Sequence, residues 1–225
     1  MHTARVSLIL VSLTAAACTR APEPQPGAPA ATASAGAELA SRDDTLRMLA
    51  DRSRIEGDSA APLWVIDISD FQCPFCAEWQ RNTHDALRAE YVRTGKVKLA
   101  FVNFPLEQHQ HAMAASRAAM CAGAQGRFWP VHDAIFETQQ RWAAASDAAP
   151  LFESIARTAG VRIDEWRACF TSSVMDPLIE ADRDRALAAG VNSTPTFIIN
   201  QQLMRGAAPI EEFRRLIDSA LAPQP

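Results

Sequence analysis

The spacing of apolar residues divides the chain into strands and helices in a definite order. Apolar runs predict strands at 63–69 and 97–102, and helical spacing between them predicts a helix that ends near Gly95. A strand, a helix and a second strand in this order form a right-handed crossover with parallel strands. The pattern therefore predicts an α/β fold.

Helical spacing replaces strand patterns between about residues 107 and 190, where alanine-rich and aromatic segments succeed one another. A block of this length is too long to be a loop, so it predicts an inserted all-helical domain. Strand patterns then return at 196–199 and 203–205, separated by the turn residues Asn200 and Gln201, which predicts a hairpin. Pro209 precedes a last amphipathic helix.

Residues 1–17 have the pattern of a secretory signal peptide. Arg5 precedes an apolar run at 6–13, and small residues follow up to Cys18. The apolar run is too short to span a membrane.

The segment that ends at Cys18 also resembles the lipobox of bacterial lipoproteins, in which this cysteine carries the lipid. The alternative is ordinary cleavage after Ala17, which would leave a free thiol in an oxidising compartment. We favour lipidation of Cys18. It would anchor the protein to a membrane, in the periplasm or at the extracytoplasmic face.

Residues 18–50 are expected to form a flexible tether, whether lipid-anchored or free. Alanine, proline, glycine, serine and threonine dominate up to about residue 40, and this composition cannot bury enough apolar surface to fold. A short amphipathic helix is expected at 43–50. The folded domain is then expected at 51–225.

Composition limits the possible partners. With 225 residues and 48% hydrophobic residues, the chain can form one good core. The net charge is −4, and the acidic residues are scattered along the chain. The charge gives no basic surface of the kind that binds nucleic acid, so we expect no nucleic-acid partner. No segment suggests a dimerisation domain, so we expect a monomer.

The candidate chemistry lies at the end of the first strand, where Cys73, Pro74, Phe75 and Cys76 form a CxxC motif. The first turn of a helix has free N–H groups and a partial positive charge, which should lower the pKa of Cys73. Pro74 suits the first helical position. Cys73 is expected to exchange disulfides, and Cys76 to resolve the mixed disulfide.

A CxxC motif can instead hold a metal. A structural zinc site usually needs a second CxxC or a pair of histidines at matched spacing. His84, His109, His111 and His132 have no such spacing, so we assign them surface or packing roles and expect no metal. A non-catalytic module that holds a soft ion such as Cu(I) through the CxxC is the alternative from another class.

The element order and three motifs, at residues 70–76, 128–133 and 190–197, resemble the DsbA-like thiol:disulfide oxidoreductases of the thioredoxin superfamily. The resemblance covers about residues 60–222. It implies a thioredoxin fold, in which a central mixed sheet flanked by helices carries the helical insertion at about 107–190. It also implies protein disulfide exchange without a cofactor. The implied partners are unfolded or cysteine-containing envelope proteins and a membrane redox partner.

Three further residues follow from this resemblance. It implies that Pro195, after Thr194, is a cis-proline facing the CxxC, whereas the residues alone favour an ordinary trans proline. Asp67 lies six positions before Cys73 and matches the family's buried acid, which would exchange a proton with Cys76. The alternative places Asp67 on the solvent face of its strand.

Two departures leave the direction of electron flow open. Phe75 stands where the best-known oxidant of the family has a histidine, so a donor to the thiolate is missing. Thr194 is commoner before the proline in isomerases and reductants. An isomerase or a reductant of the same fold is therefore the alternative to an oxidase.

Two of the five cysteines, Cys121 and Cys169, fall in predicted helices of the insertion. A disulfide between them would stabilise the fold by roughly 4 kcal/mol on the chain-entropy model. The oxidising compartment favours this bond, and two buried free thiols are the alternative.

Overall fold

A computed structural model of the chain describes the backbone of residues 30–222 and the side chains of residues 38–222. The predicted signal peptide and Cys18 lie outside the described residues. The chain divides into two units, Met1–Ala37 and Glu38–Pro225, and the second unit contains all the described strands. Among the helices from residue 30 to residue 222, none has an apolar stretch sufficient for a membrane span.

Helix α1 spans Ala30–Ser53, where the sequence analysis expects a tether with a short helix at 43–50. The expectation of a flexible tether is corrected for residues 30–42, which are helical, and the helix expected at 43–50 is part of α1. It was based on the lack of large apolar residues, whereas alanine has the highest helix propensity of all residues and is frequent after residue 29. In the last turns of α1, Ala50 is buried and Arg47 donates to the backbone oxygen of Val174.

A mixed five-stranded sheet forms the centre of the second unit, in the order β1-β3-β2-β4-β5. The strands are β1 (Ile55–Glu56), β2 (Leu63–Ser69), β3 (Val97–Asn103), β4 (Thr196–Ile199) and β5 (Gln202–Arg205). Strands β2 and β3 are parallel, and every other pairing is antiparallel. The predicted α/β class, with a central mixed sheet, is confirmed.

The hairpin between β4 and β5 turns at the predicted residues. Asn200 and Gln201 have φ values of 46° and 66°. Two consecutive residues with positive φ are typical of the type I′ turn, whose twist matches that of the paired strands.

Strand β1 was not predicted, because two residues carry no periodic signal. Gly57 follows the strand directly, with a φ of 112°, and a Cβ added there would lie 2.6 Å from the backbone oxygen of Val97. Only glycine allows this close approach.

Helix α2 follows β2 and is one continuous helical segment. It comprises α-helix at Pro74–Trp79, a π-helical stretch at Gln80–His84, α-helix at Asp85–Leu87 and a second π-helical stretch at Arg88–Val92. The predicted stop at Gly95 has a φ of 73°. Helix α2 thus fills the crossover between the parallel strands β2 and β3.

The predicted helical insertion is present between β3 and β4. Its helices are α3 (Ala112–Gly123), α4 (Phe128–Glu137), α5 (Gln139–Ala143), α6 (Ala149–Thr158), α7 (Ile163–Ser172) and α8 (Asp176–Ala188). A disulfide joins Cys121 of α3 to Cys169 of α7, with an S–S distance of 1.95 Å and a Cα–Cα distance of 5.8 Å. The C-terminal helix α9 spans Ile210–Leu221.

Two large apolar clusters build the interior. One lies between the sheet and helices α2 and α9, where the rings of Trp79, Phe197 and Phe213 contact each other. The other fills the helical insertion and also includes Cys73 and Cys76. The CxxC motif therefore lies where the insertion packs against the sheet half of the fold.

Candidate active site

Cys73 and Cys76 occupy the first turn of α2, as predicted from the motif. Cys73 is the N-cap residue, with extended backbone angles (φ −69°, ψ 126°), and Pro74 follows at the first helical position. Cys73 is 4% exposed and Cys76 is 0% exposed, and both are free thiols. Both residues are buried, and of the two only Cys73 retains any exposed surface.

The two thiols have opposite acidities. A hydrogen bond from the Cys76 thiol is the largest cause that lowers the pKa of Cys73 to about 6. Burial opposes this shift, while Thr194 and the backbone N–H groups of Phe75 and Cys76 add to it. Burial and the neighbouring Cys73 raise the pKa of Cys76 well above its usual value. Near neutral pH the pair therefore consists of a thiolate at Cys73 and a thiol at Cys76.

The Thr194–Pro195 peptide bond is cis and faces the CxxC. The sulfur of Cys73 lies 3.4 Å from the backbone oxygen of Thr194, to which it donates when it is protonated. The Thr196 hydroxyl donates to the backbone oxygen of Ser193, which closes the loop around the proline. Two motifs far apart in sequence thus meet at one place.

Asp67 lies within β2, paired with Phe101 of β3 and Phe197 of β4. The carboxyl is buried, with a residue exposure of 2%, so the alternative that it faces solvent is wrong. One of its oxygens, Oδ1, has no hydrogen-bond partner among the described residues. Burial raises the pKa of Asp67 to about 7.

Asp70 is a site residue whose role the sequence analysis missed. Its carboxyl is fully buried. Oδ1 accepts from the backbone N–H of Gln72 at 2.6 Å, and Oδ2 accepts from the backbone N–H of Leu106 and from the His109 ring, both at 2.8 Å. An aspartate that bonds to the N–H two residues on forms an Asx turn, and its position directly after a strand is the sequence signal for it.

Two glutamines also hold the segment before α2. The side-chain oxygen of Gln72 accepts from the backbone N–H of His111 at 2.7 Å. The side-chain nitrogen of Gln139, at the start of α5, donates to the backbone oxygens of Phe71 and Cys73, both at 2.8 Å. No sequence signal identifies Gln139, because the contact joins residues 66 positions apart.

The structure brings together two histidines that the sequence analysis treated as scattered. One ligand atom each of His84, His132 and Asp133 lies within 4.8 Å of the others, an arrangement that could hold a metal ion. However, Asp133 already accepts from the His132 ring at 2.8 Å, from Gln80 at 3.1 Å and from the cationic Arg88 at 3.0 Å. A metal would displace these bonds, so the group is best described as buried polar packing.

The fold and the site geometry can be compared with known proteins. A family model described as Thioredoxin matches residues 50–219. The chain belongs to this thioredoxin family. The predicted resemblance to DsbA-like proteins is confirmed at the level of the fold, which solved structures of DsbA proteins share.

Among curated relatives, a probable disulfide bond formation protein D of Bacillus anthracis is 27% identical over 168 residues, which are 73% of this chain and 76% of the relative. A Na(+)/H(+) antiporter NhaA 1 of Salinispora arenicola is 28% identical over 173 residues. That match covers 76% of this chain, and the chain spans only 25% of the antiporter's length.

Two of the similar solved structures illustrate the shared fold. Alpha-DsbA1 of Wolbachia pipientis superposes with a TM-score of 0.66 at 24% identity, covering 74% of this chain and 89% of that one. Oxidised BdbD of Bacillus subtilis superposes with a TM-score of 0.67 at 20% identity, covering 74% of this chain and 91% of that one.

Proposed function

We propose that this thioredoxin-family protein is a thiol:disulfide oxidoreductase that exchanges disulfides with other proteins through Cys73 and Cys76. The observation that carries the proposal is the acidic sulfur of Cys73, next to the loop of the cis Thr194–Pro195 bond. A thiolate at neutral pH is the reactive species in disulfide exchange. Relatives named disulfide bond formation protein D support the same activity.

In the proposed oxidation, a substrate thiolate attacks the Cys73 sulfur of the Cys73–Cys76 disulfide. The bond between the two cysteines breaks, a mixed disulfide forms at Cys73, and Cys76 leaves as a thiolate that takes up a proton. A second substrate thiolate then attacks the substrate sulfur of the mixed disulfide. Cys73 leaves as a thiolate, and two electrons have passed from the substrate to the protein. The low pKa of Cys73 speeds this last step, because more acidic thiols leave faster.

Asp67 is proposed to exchange a proton with Cys76. Because its pKa is raised to about 7, both the protonated and the ionised form of the Asp67 carboxyl are populated near neutral pH. A group so poised can give a proton to the Cys76 thiolate and take it back when the disulfide closes again.

The direction of net electron flow is a separate part of the proposal. Phe75 is 60% exposed, and its ring offers no hydrogen-bond donor to the Cys73 thiolate. A less stabilised thiolate makes the disulfide less oxidising. Titration of the Cys73–Cys76 pair in glutathione buffers measures the potential, and a value near that of thioredoxin, about −270 mV, would exclude net oxidation and favour a reductant.

We further propose that the protein acts in the bacterial cell envelope on unfolded or cysteine-containing proteins, as a monomer, with a membrane protein as its redox partner. The Cys121–Cys169 disulfide supports an oxidising compartment. The signal peptide and a lipid at Cys18 are part of this proposal. Metabolic labelling with a fatty acid tests the lipid directly, with Cys18→Ser as the control.

The deciding experiment traps the mixed disulfide. Cys76→Ser should accumulate a covalent complex with a reduced client protein that has a single cysteine and is supplied with an oxidant, because neither Cys76 nor a second client thiol is present to displace Cys73. Cys73→Ser is the matched control and should form no complex. If Cys76→Ser forms no complex and the wild type catalyses no disulfide exchange, the oxidoreductase proposal fails. Stoichiometric Cu(I) in the purified protein would then favour a metal-binding module.

A further inference from the structure

Gln139 connects the helical insertion to the backbone of Cys73. Its side-chain nitrogen has two hydrogens, and the structure directs them to two carbonyl oxygens, those of Phe71 and Cys73, at 2.8 Å each. Gln139 is 7% exposed, so water competes little for these hydrogens. Both donors of one amide are thus used on the segment that precedes α2.

The two carbonyls lie on either side of Gln72 in the last residues before the helix. The oxygen of Cys73 also accepts the first helical hydrogen bond, from the N–H of Ala77 at 3.2 Å. Among residues 38–222, Gln139 is the only side chain that bonds to the main chain of Cys73. Buried carbonyl oxygens need hydrogen-bond donors. The Gln139 amide supplies a donor to the Phe71 oxygen and a second donor to the Cys73 oxygen.

The contact also affects charge. An N–H group directed at the Cys73 carbonyl places partial positive charge beside the residue whose sulfur becomes negative. Positive charge near a thiol favours its ionised form. The hydrogen bond from Gln139 also holds the main chain of Cys73, and this main chain determines where the Cys73 sulfur lies relative to Thr194.

We propose that Gln139 is a positioning residue of the redox site, which holds the Cys73 main chain and keeps the Cys73 thiolate acidic. Its effect on disulfide exchange rests on the function proposed above, whereas its effect on the thiolate does not. Through Gln139, the insertion takes part in the chemistry of a cysteine that belongs to the sheet half of the fold.

Two variants of similar size test the proposal in the reduced protein. Gln139→Met keeps the volume and removes both donors, and Gln139→Glu replaces the donors by a carboxylate. The readout is the pKa of Cys73, measured by the ultraviolet absorbance of the thiolate and by the rate of alkylation. Gln139→Met should raise it by about half a unit, roughly a threefold change in acid dissociation. Gln139→Glu should raise it further, because negative charge opposes the thiolate.

Gln140 provides the matched control, because it is the exposed neighbour in the same helix. Gln140→Met should leave the pKa of Cys73 unchanged. A pKa of Cys73 that stays at the wild-type value in both Gln139 variants overturns the proposal, whatever happens to their stability.

A measurement on the wild type covers the case in which the variants do not fold. In the ¹⁵N-labelled protein, the side-chain amide hydrogens of Gln139 should exchange with solvent much more slowly than those of Gln140. Equal exchange rates would overturn the proposal. If the wild type exchanges no disulfides with proteins, the proposed function fails, and the pKa shift and the slow amide exchange still decide the role of Gln139.

Discussion

The sulfur of Cys73 and the backbone oxygen of Thr194 are 3.4 Å apart, although 121 positions separate the two residues. The contact places the acidic thiol next to the cis Thr194–Pro195 bond, at the edge of β4. A segment bound in extended form along this loop would bring its own cysteine to the exposed side of Cys73, because strand ends offer free backbone groups.

The first prediction concerns the pH dependence of alkylation. Because the pKa of Cys73 is lowered to about 6, the alkylation rate of the reduced protein should rise with pH to half its maximum near that pH. Cys76 should remain unmodified below about pH 9, because its pKa is raised and it is buried. Mass spectrometry of the alkylated peptides assigns the site. A midpoint near that of an ordinary thiol would contradict the account of Cys73.

The second prediction concerns Phe75. Replacing it with histidine, Phe75→His, adds a cationic donor within the first turn of α2, close to the Cys73 sulfur. The pKa of Cys73 should fall, and the disulfide should become more oxidising by about 30 mV or more, which corresponds to a tenfold change in the equilibrium with glutathione. Phe75→Leu keeps an apolar side chain and should change neither quantity. Equal potentials for the histidine and leucine variants would contradict this role.

The third prediction concerns the buried carboxyl of Asp67. Its pKa is raised from 3.8 to about 7, so between these values the folded protein keeps a proton that the unfolded chain has lost. The stabilisation is complete below the lower value and is lost as pH rises through the higher one. Over this range the free energy of unfolding should therefore fall with pH, by on the order of 4 kcal/mol from this group.

Asp67→Asn removes the ionisation and should remove this part of the fall. Urea denaturation of the two reduced proteins at about pH 5 and pH 8 measures the difference. The variant should gain stability relative to the wild type at the higher pH. If the two proteins depend on pH in parallel, Asp67 does not titrate as described.

The fourth prediction concerns the disulfide of the insertion. Cys121 and Cys169 are 48 positions apart, and a loop of this size is stabilised by about 4 kcal/mol when it is closed. Replacing both by alanine should lower the free energy of unfolding by about this amount. The comparison is made in a background with Cys73→Ala and Cys76→Ala, so that a single disulfide changes. A loss below about 1 kcal/mol would contradict the chain-entropy argument.

The sequence predicted those parts of the fold that have a local signal. The crossover β2-α2-β3 and the β4-β5 hairpin follow from apolar periodicity and turn residues, and the placement of Cys73 follows from the strand that precedes it. Strand β1 has two residues and takes its stability from β3, so no periodic pattern marks it. Helix α1 depends on alanine propensity rather than on an apolar face.

The parts of the site that escaped prediction are contacts between distant segments. Gln139 resembles its neighbour Gln140 in every local respect, and only the packing of α5 against the CxxC segment distinguishes the two. The rings of His84 and His132 contact each other because α2 packs against α4. The spacing of the two residues in the sequence does not predict this contact. The resemblance to the family supplied Pro195 and Asp67, which the residues alone left open.

The bond between Cys121 and Cys169 closes a covalent ring of the chain, and Gln139 lies inside that ring. The helix that reaches toward the reactive sulfur is thus part of a loop whose two ends cannot separate, even when local structure opens. The Cys121–Cys169 disulfide therefore restrains the segment that contacts Cys73, whichever redox state the Cys73–Cys76 pair has.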